Sequence, residues 1–452
     1  MKLNWKFVVG VLSLFVILLG LYRQVSPQPY QAPDFHNTYR ASTALRDGTN
    51  VYEHALAWVN GYKRGDKLTD QYFYAPTYAM LLIPLTYLPY QTAIAVWGTC
   101  LAFFLCLAIY ALFRAAGGDA PIWLVLLVAA AASMMSAVRA EYFLGQANLF
   151  MLACMCLAIW ARQAQRPLLA GALLALALVT KPMLLLIAGF LFWKREFKFA
   201  FATVGGFAVL LLAPFAWLGA EAFGHLLKLW RFYGSQYLSF SENITPRGML
   251  ERLFTVNPFV EPIAEAPGVA VAVWFVLFAV MLFTLLAVVA PRTIKREPAS
   301  LLEFGAILSG LMIVSPLTEP PYLVLLILPM TATLIYLRSV RWTESPARWG
   351  TVGLVAVWFA ELVPRSLIEP HIWANLDKTD PVQTVFLVIL APTHFYILLA
   401  TFVLQLFLLR VASGQTTAVS MSRLVREGPR LVVDCITEMF TGTTLKQRRI
   451  GG

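Results

Sequence analysis

Charge is scarce in this chain. Asp, Glu, Lys and Arg make up 13% of its 452 residues and hydrophobic residues 59%, whereas about one quarter of a soluble domain is charged. Long apolar runs recur from Trp5 to Arg410. That excludes an ordinary soluble domain and leaves a chain that crosses a bilayer many times. Histidine and cysteine are as sparse, at five each. Cys100, Cys106, Cys154 and Cys156 sit inside apolar runs and Cys435 lies near the end, so neither a disulfide framework nor a zinc spacing is present. The sequence has no P-loop, no dinucleotide fingerprint, no His-Glu-x-x-His and no Asp-x-Asp pair. Nucleotide chemistry and metal-dependent nucleotide-sugar chemistry therefore lack a motif, and no cofactor and no metal site is expected. Internal repeats are also missing. That weighs against a secondary transporter, a class commonly built of repeats with buried polar groups near the midplane.

The one surplus is positive charge, +11 in all. It does not point to nucleic acid, because the basic residues fall in short loops between apolar runs, the pattern of cytoplasmic loops. Spans are expected at about 5–24, 90–113, 121–138, 146–161, 168–180, 182–193, 199–216, 266–290, 301–314, 321–337, 349–363 and 383–410. With both ends inside, the inner short loops carry twelve Lys and Arg, from Arg114 to Arg348. The outer connections carry four: Arg139, Lys181, Arg365 and Lys378. The first run, Phe7 to Leu21, follows Lys2 and Lys6 and lacks a small-x-small cleavage site, so it reads as an uncleaved signal anchor. A half-membrane hairpin is the alternative for 168–193. The apolar stretch 77–88 is bounded by Pro76 and Pro89. Its twelve residues are too short for a core of roughly 30 Å, so it reads as an interfacial or re-entrant helix.

The expected fold is an all-α polytopic membrane protein with about twelve transmembrane helices in a single membrane-embedded domain, 1–410. Two long outer-face loops, 25–89 and 217–265, interrupt it, and a basic cytoplasmic tail, 411–452, follows and suits anionic headgroups. Disordered segments lack aromatics. These loops carry Tyr39, Tyr52, Trp58, Tyr62, Tyr72, Phe73, Tyr74, Trp230, Phe232, Tyr233 and Tyr237, so both are expected to be ordered.

Asp34 is the first acidic residue after the first span. On a helix beginning there, positions 34, 38 and 41 share a face. Asp34 reads either as a helix-start anion or as a general base at the membrane surface. Arg139 and Glu141 stand just before Gly145-Gln146 and form either a structural pair or a functional site. Lys181 holds a phosphate or snorkels to the interface. Gln146 and Asn148 bind a sugar hydroxyl or satisfy a broken helix. Glu319, beside two prolines, cannot sit in a regular helix and faces a cavity. Arg231, Arg247 and Arg252 contact an acceptor or a lipid phosphate, or are ordinary loop charges. His36 is a further sugar-bonding candidate, and Asn243-Ile244-Thr245 matches a glycosylation triplet.

Several of these motifs resemble one family. Asp34-Phe35 with Tyr39 and Ala41, then Gly48 and Tyr52, resembles the first outer loop of glycosyltransferase family 87. Tyr74-Ala75-Pro76-Thr77, Leu81-Leu82-Ile83-Pro84-Leu85 and Leu88-Pro89 resemble its Tyr-Pro-Pro-Leu and Pro-Leu-x-x-Leu-Pro runs, and Trp97 follows. Gly145-Gln146-Ala147-Asn148, Gly171 with Lys181-Pro182, and Ser315-Pro316 resemble its later motifs. Two departures stand out. Ala75 replaces a proline, and the late turn, Leu317-Thr318-Glu319-Pro320-Pro321-Tyr322, has no histidine where the family commonly has one or two.

The resemblance implies a GT-C architecture and an inverting transfer at the outer membrane face. The implied donor is a polyprenyl-phosphate sugar, with mannose the candidate, and the implied acceptor is an outer-face lipid or glycan. Asp34 is the implied catalytic base. Tyr39, Tyr74, Glu141, Gln146, Asn148, Lys181, Glu319 and Arg247 are the expected substrate-binding residues. The implied location is a bacterial inner membrane, with membrane lipids around the protein and no nucleic acid partner. A secondary transporter and a non-catalytic polyprenyl-lipid-binding protein are the rival readings. The orientation is open to direct test. Cysteines introduced at positions 65 and 240 should react with an impermeant thiol reagent from outside, and a C-terminal tag should stay protected; the reverse pattern would invert the topology.

Overall fold

The computed structural model describes residues 4–25, 32–62, 71–289, 298–341, 344–363, 367–368, 371–372 and 376–412. The tail expected at 411–452 lies outside them beyond residue 412, as do Cys435, Arg292, Lys295, Arg296 and Arg365. Among the described residues every regular element is helical and there is no strand. The chain is thus the all-α, polytopic membrane protein the sequence implies.

Among the described residues five helices are long and apolar enough to cross a bilayer: those over Trp5–Tyr22, Tyr90–Ala115, Pro267–Val288, Pro320–Ser339 and Thr393–Ala412. Two bent pairs, Ile122–Ser133 with Ser136–Leu144 (80°) and Phe197–Leu212 with Phe215–Gln236 (83°), raise that number to seven if each is one span. Shorter apolar helices, including Asn148–Gln163, Pro167–Leu178 and Ala299–Val314, fill the interior. Ala299–Val314 is buried along its whole length. Trp5–Val25 and Pro267–Val288 leave most of their apolar side chains uncovered, as lipid-facing helices do.

Several expected spans are broken, each with a local reason. The run 383–410 is two helices, Pro381–Leu390 and Thr393–Ala412, parted at Ala391-Pro392 where proline removes a helical N–H. The run 121–138 ends at Ser133 and restarts at Ser136. The stretch 217–265 is largely helical: Phe215–Gln236, which turns at Gly219 (φ 86°), and then Pro246–Phe254. The segment 77–88 is a seven-residue α-helix, Pro76–Leu82, and a five-residue 3-10 helix, Ile83–Tyr87. It packs under the first-loop helix Pro33–Arg46. Ser42 Oγ donates to Ala79 O at 2.8 Å and Arg46 Nη1 to Thr86 O at 2.7 Å.

Small residues let helices approach closely where lipid supplies no hydrophobic drive between them. Gly171 of Pro167–Leu178 faces Ala202 and Thr203 of Phe197–Leu212, and a Cβ at Gly171 would lie 2.8 Å from the Thr203 amide nitrogen. One turn along, a Cβ at Gly206 would stand 3.0 Å from Ala175 Cβ. Both helices therefore carry a small residue four positions apart on the shared face. At the other end of Pro167–Leu178, Arg162 makes a two-point ion pair with Glu196 at 2.7 and 2.6 Å, and Lys194 bonds Glu303 at 2.6 Å. Gly171→Leu should destabilise the purified protein by about 1–3 kcal/mol or more, the range for overpacking, visible as a lower melting midpoint in detergent. Gly205→Leu, on the facing helix Phe197–Leu212 but with open space at its Cβ, should leave the midpoint almost unchanged.

Candidate active site

A cavity of about 260 Å³ lies where the helix breaks converge. Six separated parts of the chain line it, among them Asp34 and Asn37; Tyr74; Gln146; Thr180 to Met183; Trp230, Tyr233 and Tyr237 of the second long stretch; and Pro316, Leu317, Glu319 and Tyr322 of the late turn.

Asp34 reaches the cavity from the first turn of Pro33–Arg46. Pro33 suits the first helical position because its missing N–H has no intrahelical partner there. The carboxylate follows at the positive end of the helix dipole. Phe35, Thr38, Ala41, Ser42 and Leu45 bury one face of the helix, and Asp34 and Asn37, in its first turns, line the opening. Positions 34, 38 and 41 share a face of this helix as expected, with Thr38 and Ala41 buried. Thr38 Oγ1 donates to Asp34 O at 3.0 Å.

Gln146 holds the Asp34 side chain, its Nε2 donating to Asp34 Oδ2 at 2.5 Å. The glutamine arrives there because Gly145 ends the Ser136–Leu144 helix at φ 69°, a left-handed conformation. The fit allows no side chain: a Cβ at Gly145 would be 2.6 Å from Phe35 Cβ. Trp97 Nε1 pins the turn by donating to Gly145 O at 3.0 Å. Behind Gln146, Asn148 Nδ2 donates to Gln146 Oε1 at 2.6 Å and to Glu141 Oε2 at 2.7 Å. Glu141 Oε1 accepts the Leu149 amide at 3.0 Å and so caps the Asn148–Gln163 helix. A continuous string of hydrogen bonds thus runs Asp34–Gln146–Asn148–Glu141. Glu141 and Asn148, fully buried, stand one layer behind the cavity lining. Arg139 does not pair with Glu141; its Nη2 donates to Leu362 O at 3.1 Å.

Lys181 lies between Pro167–Leu178 and the 3-10 helix Pro182–Leu185. Its side chain does not snorkel: the residue is 4% exposed. Nζ makes no hydrogen bond and sits 2.8 Å from the centre of the Tyr322 ring. Glu319, Glu141 and Asp34 act on it electrostatically, Glu319 most strongly. An ammonium without hydrogen-bond acceptors, at a cavity wall among carboxylates, suits an incoming phosphate oxygen.

Other expected residues lie elsewhere. Tyr39 is a packing residue, its hydroxyl donating to Leu88 O at 2.9 Å and its ring edge-on to Tyr90. Arg247 does not line the cavity; it pairs with Glu251 and lies over Trp274. Arg252 Nη1 donates to Phe240 O and Asn243 O. His36 stacks edge-on against Tyr90. Asn37, Trp230, Tyr233 and Tyr237 line the cavity without having been singled out as site residues. The last three do carry a signal, the i, i+3, i+7 spacing that puts them on one helical face. Trp230 Nε1 donates to Phe73 O at 2.7 Å and Tyr233 stacks on Phe73 at 4.6 Å, which joins the second long stretch to the first. Among the described residues no three His, Cys, Asp or Glu side chains gather as a metal site.

The sequence pattern of glycosyltransferase family 87 matches residues 72–316, more than half of the chain. The chain belongs to glycosyltransferase family 87. No curated protein matches it. It is therefore a membrane glycosyltransferase, and the transporter reading falls away. The matched stretch carries Tyr74, Glu141, Gln146, Asn148 and Lys181, begins after Asp34 and ends before Glu319. The cavity draws on both sides of that boundary.

In this glycosyltransferase the Asn243 triplet is a structural knot. Asn243 is fully buried. Its Nδ2 donates to Leu238 O and Pro316 O, both at 2.9 Å, while Oδ1 accepts Thr245 Oγ1 at 2.9 Å and the Thr245 amide at 3.2 Å. It ties the second long stretch to the late Ser315-Pro316 turn across the cavity. Asn243→Ala should cost about 2–4 kcal/mol, the sum of several buried bonds at roughly 1 kcal/mol each. Thermal unfolding would measure it, and an unchanged midpoint would deny the knot.

Proposed function

We propose that this glycosyltransferase moves a hexose, with mannose the candidate, from a polyprenyl-phosphate carrier to a hydroxyl of an outer-face lipid or glycan. Asp34 is the base and the anomeric centre is inverted. The observation that supports this best is that Asp34 and Lys181, a carboxylate and a buried ammonium, line the same cavity.

The acceptor oxygen attacks the anomeric carbon as the bond from that carbon to the phosphate oxygen breaks. Its proton passes to Asp34, and the bonding electrons leave with the lipid phosphate. Lys181 offsets the charge that grows on the departing phosphate. A single phosphate paired with a cation is an adequate leaving group, so this reading requires no metal. Gln146 serves Asp34 by fixing its orientation. Tyr74 and Glu319 face the sugar. Glu141 and Asn148, one layer back, support Gln146. Where the family commonly has a late-turn histidine, this chain has Lys181 beside that turn, over the Tyr322 ring. The proposed setting is a bacterial inner membrane with the cavity at its outer face.

Asp34→Asn keeps size and helix-start bonding but removes the basic oxygen. Turnover should fall by about 10²–10⁴-fold, with expression and donor-lipid binding retained, when purified enzyme is assayed with polyprenyl-phosphate mannose. Near-normal turnover would remove Asp34 from the mechanism, and donor binding with no transfer even in the wild type would favour a lipid-binding role. Gln146→Glu gives a second, signed test. A carboxylate there faces Asp34 at hydrogen-bonding distance, and a like charge raises the proton affinity of the base by about 1–3 pKa units. The acidic limb of the pH–rate profile should therefore move upward, with the lost activity recovering at higher pH. An unmoved limb would mean that Asp34 is not the titrating base.

A further inference from the structure

The 80° bend between Ile122–Ser133 and Ser136–Leu144 has neither proline nor glycine at it; Met134 and Met135 make the turn. A sharp kink needs a cause, and the one visible is a helix from far along the chain, Ser345–Leu362. Before the bend, Trp358 Nε1 donates to Ala131 O at 3.0 Å. After it, Ser136 Oγ donates to Glu361 Oε2 at 3.1 Å, and the Ala137 amide bonds to the same carboxylate. A turn further, Arg139 Nη2 reaches Leu362 O. His394, on Thr393–Ala412, brings Nε2 to 3.0 Å from Ser136 Oγ.

Ser136–Leu144 has no capping side chain of its own. The first amides of a helix lack internal partners. Here Met135, Ala137 and Val138 are at most 1% exposed, so water cannot serve them. Glu361, itself fully buried, supplies the missing acceptor from another helix. The other end of the same helix is Gly145-Gln146, which grips Asp34. Nine helical residues span only roughly 14 Å, and a rod that short transmits a tilt at one end directly to the other.

We infer that Glu361 is a positioning residue for the transfer: by capping the bent helix at Ser136 it fixes where Gln146 holds Asp34. The inference rests on Asp34 acting as the base. Glu361 lies outside the family match, which ends at residue 316, so this segment of the C-terminal region completes the site.

Full-length wild type, Glu361→Ala and Glu361→Gln, purified in detergent, test it in two ways. The first needs no substrate. Deuterium exchange in Glu361→Ala should rise several-fold in peptides covering 32–40 and 136–149, stay as in wild type over 167–178 and 197–212, and return toward normal in Glu361→Gln, whose amide oxygen still accepts from Ser136. An unchanged or uniformly raised pattern would overturn the inference. The second uses transfer. Glu361→Ala should lower kcat about tenfold or more with KM for donor changed less than about twofold. Combined with Gln146→Ala it should add little further loss, because both act through one contact. A wild-type kcat in Glu361→Ala, or fully multiplicative losses in the double variant, would reduce Glu361 to a structural residue. A wild type that shows no transfer would instead refute the proposed function, and the exchange pattern would still decide whether Glu361 sets the bend.

Discussion

A helix that breaks inside a bilayer strands amides and carbonyls where no water can reach them. Much of this protein follows from how each break is made good. At the bend after Ser133, Glu361 takes the Ser136 hydroxyl and the Ala137 amide of the next helix. At Gly145–Ala147, Glu141 takes the Leu149 amide and Trp97 covers the Gly145 carbonyl. After Leu178, Thr180 Oγ1 folds back on Ala177 O at 2.7 Å. In the late turn, Thr318 Oγ1 returns to Met312 O and Ser315 Oγ to Leu317 O, both at 2.8 Å. Polar side chains are costly among hydrocarbon, so a membrane protein concentrates them where irregular backbone already needs partners. Three of these breaks open on one cavity, and the side chains that satisfy them or neighbour those that do are the ones facing it.

That arrangement also explains why site and scaffold are hard to separate here. Gln146 binds Asp34 on one side and accepts from Asn148 on the other, while Asn148 bonds Glu141, which caps a helix. Removing any member leaves a buried group unpaired, which costs more than a single bond gains. Interlocked polar strings of this kind rigidify a site, and a base that takes its proton from one hydroxyl among several gains from a fixed orientation.

The class of the protein was legible in the sequence because composition and run length answer to the bilayer directly. The motif residues were legible as a set: Asp34, Tyr74, Gln146, Lys181 and Glu319 do meet at one cavity. Less legible was rank within the set. Glu141 and Asn148 read as cavity residues but stand behind it, because sequence gives helix position and not depth. Arg247 is a loop arginine by pattern, yet an acid four residues on, Glu251, claims it. The expected break at Lys181-Pro182 was visible through its proline. The bend at Met134-Met135 was not, because its cause, Glu361, is more than two hundred residues away and the local sequence favours helix. The second long stretch read as a loop because it is polar and carries charges of both signs, although the spacing of Trp230, Tyr233 and Tyr237 already carried the helix.

The charges at the cavity set a last constraint. Two carboxylates, Asp34 and Glu319, face it with one ammonium, Lys181. With every group ionised that lining is net negative, which disfavours an anionic ligand except close to Lys181 itself. Under the proposed reading, the donor phosphate must therefore sit on the Lys181 side, where it competes with Glu319 for the same cation. The Asp34 side is then left to a neutral hydroxyl, which a carboxylate attracts and a phosphate would repel. Under that reading, charge alone draws the donor phosphate to Lys181 and leaves the acceptor to Asp34. The same competition makes the late turn, through Glu319, the part of the cavity most sensitive to whether a donor is bound.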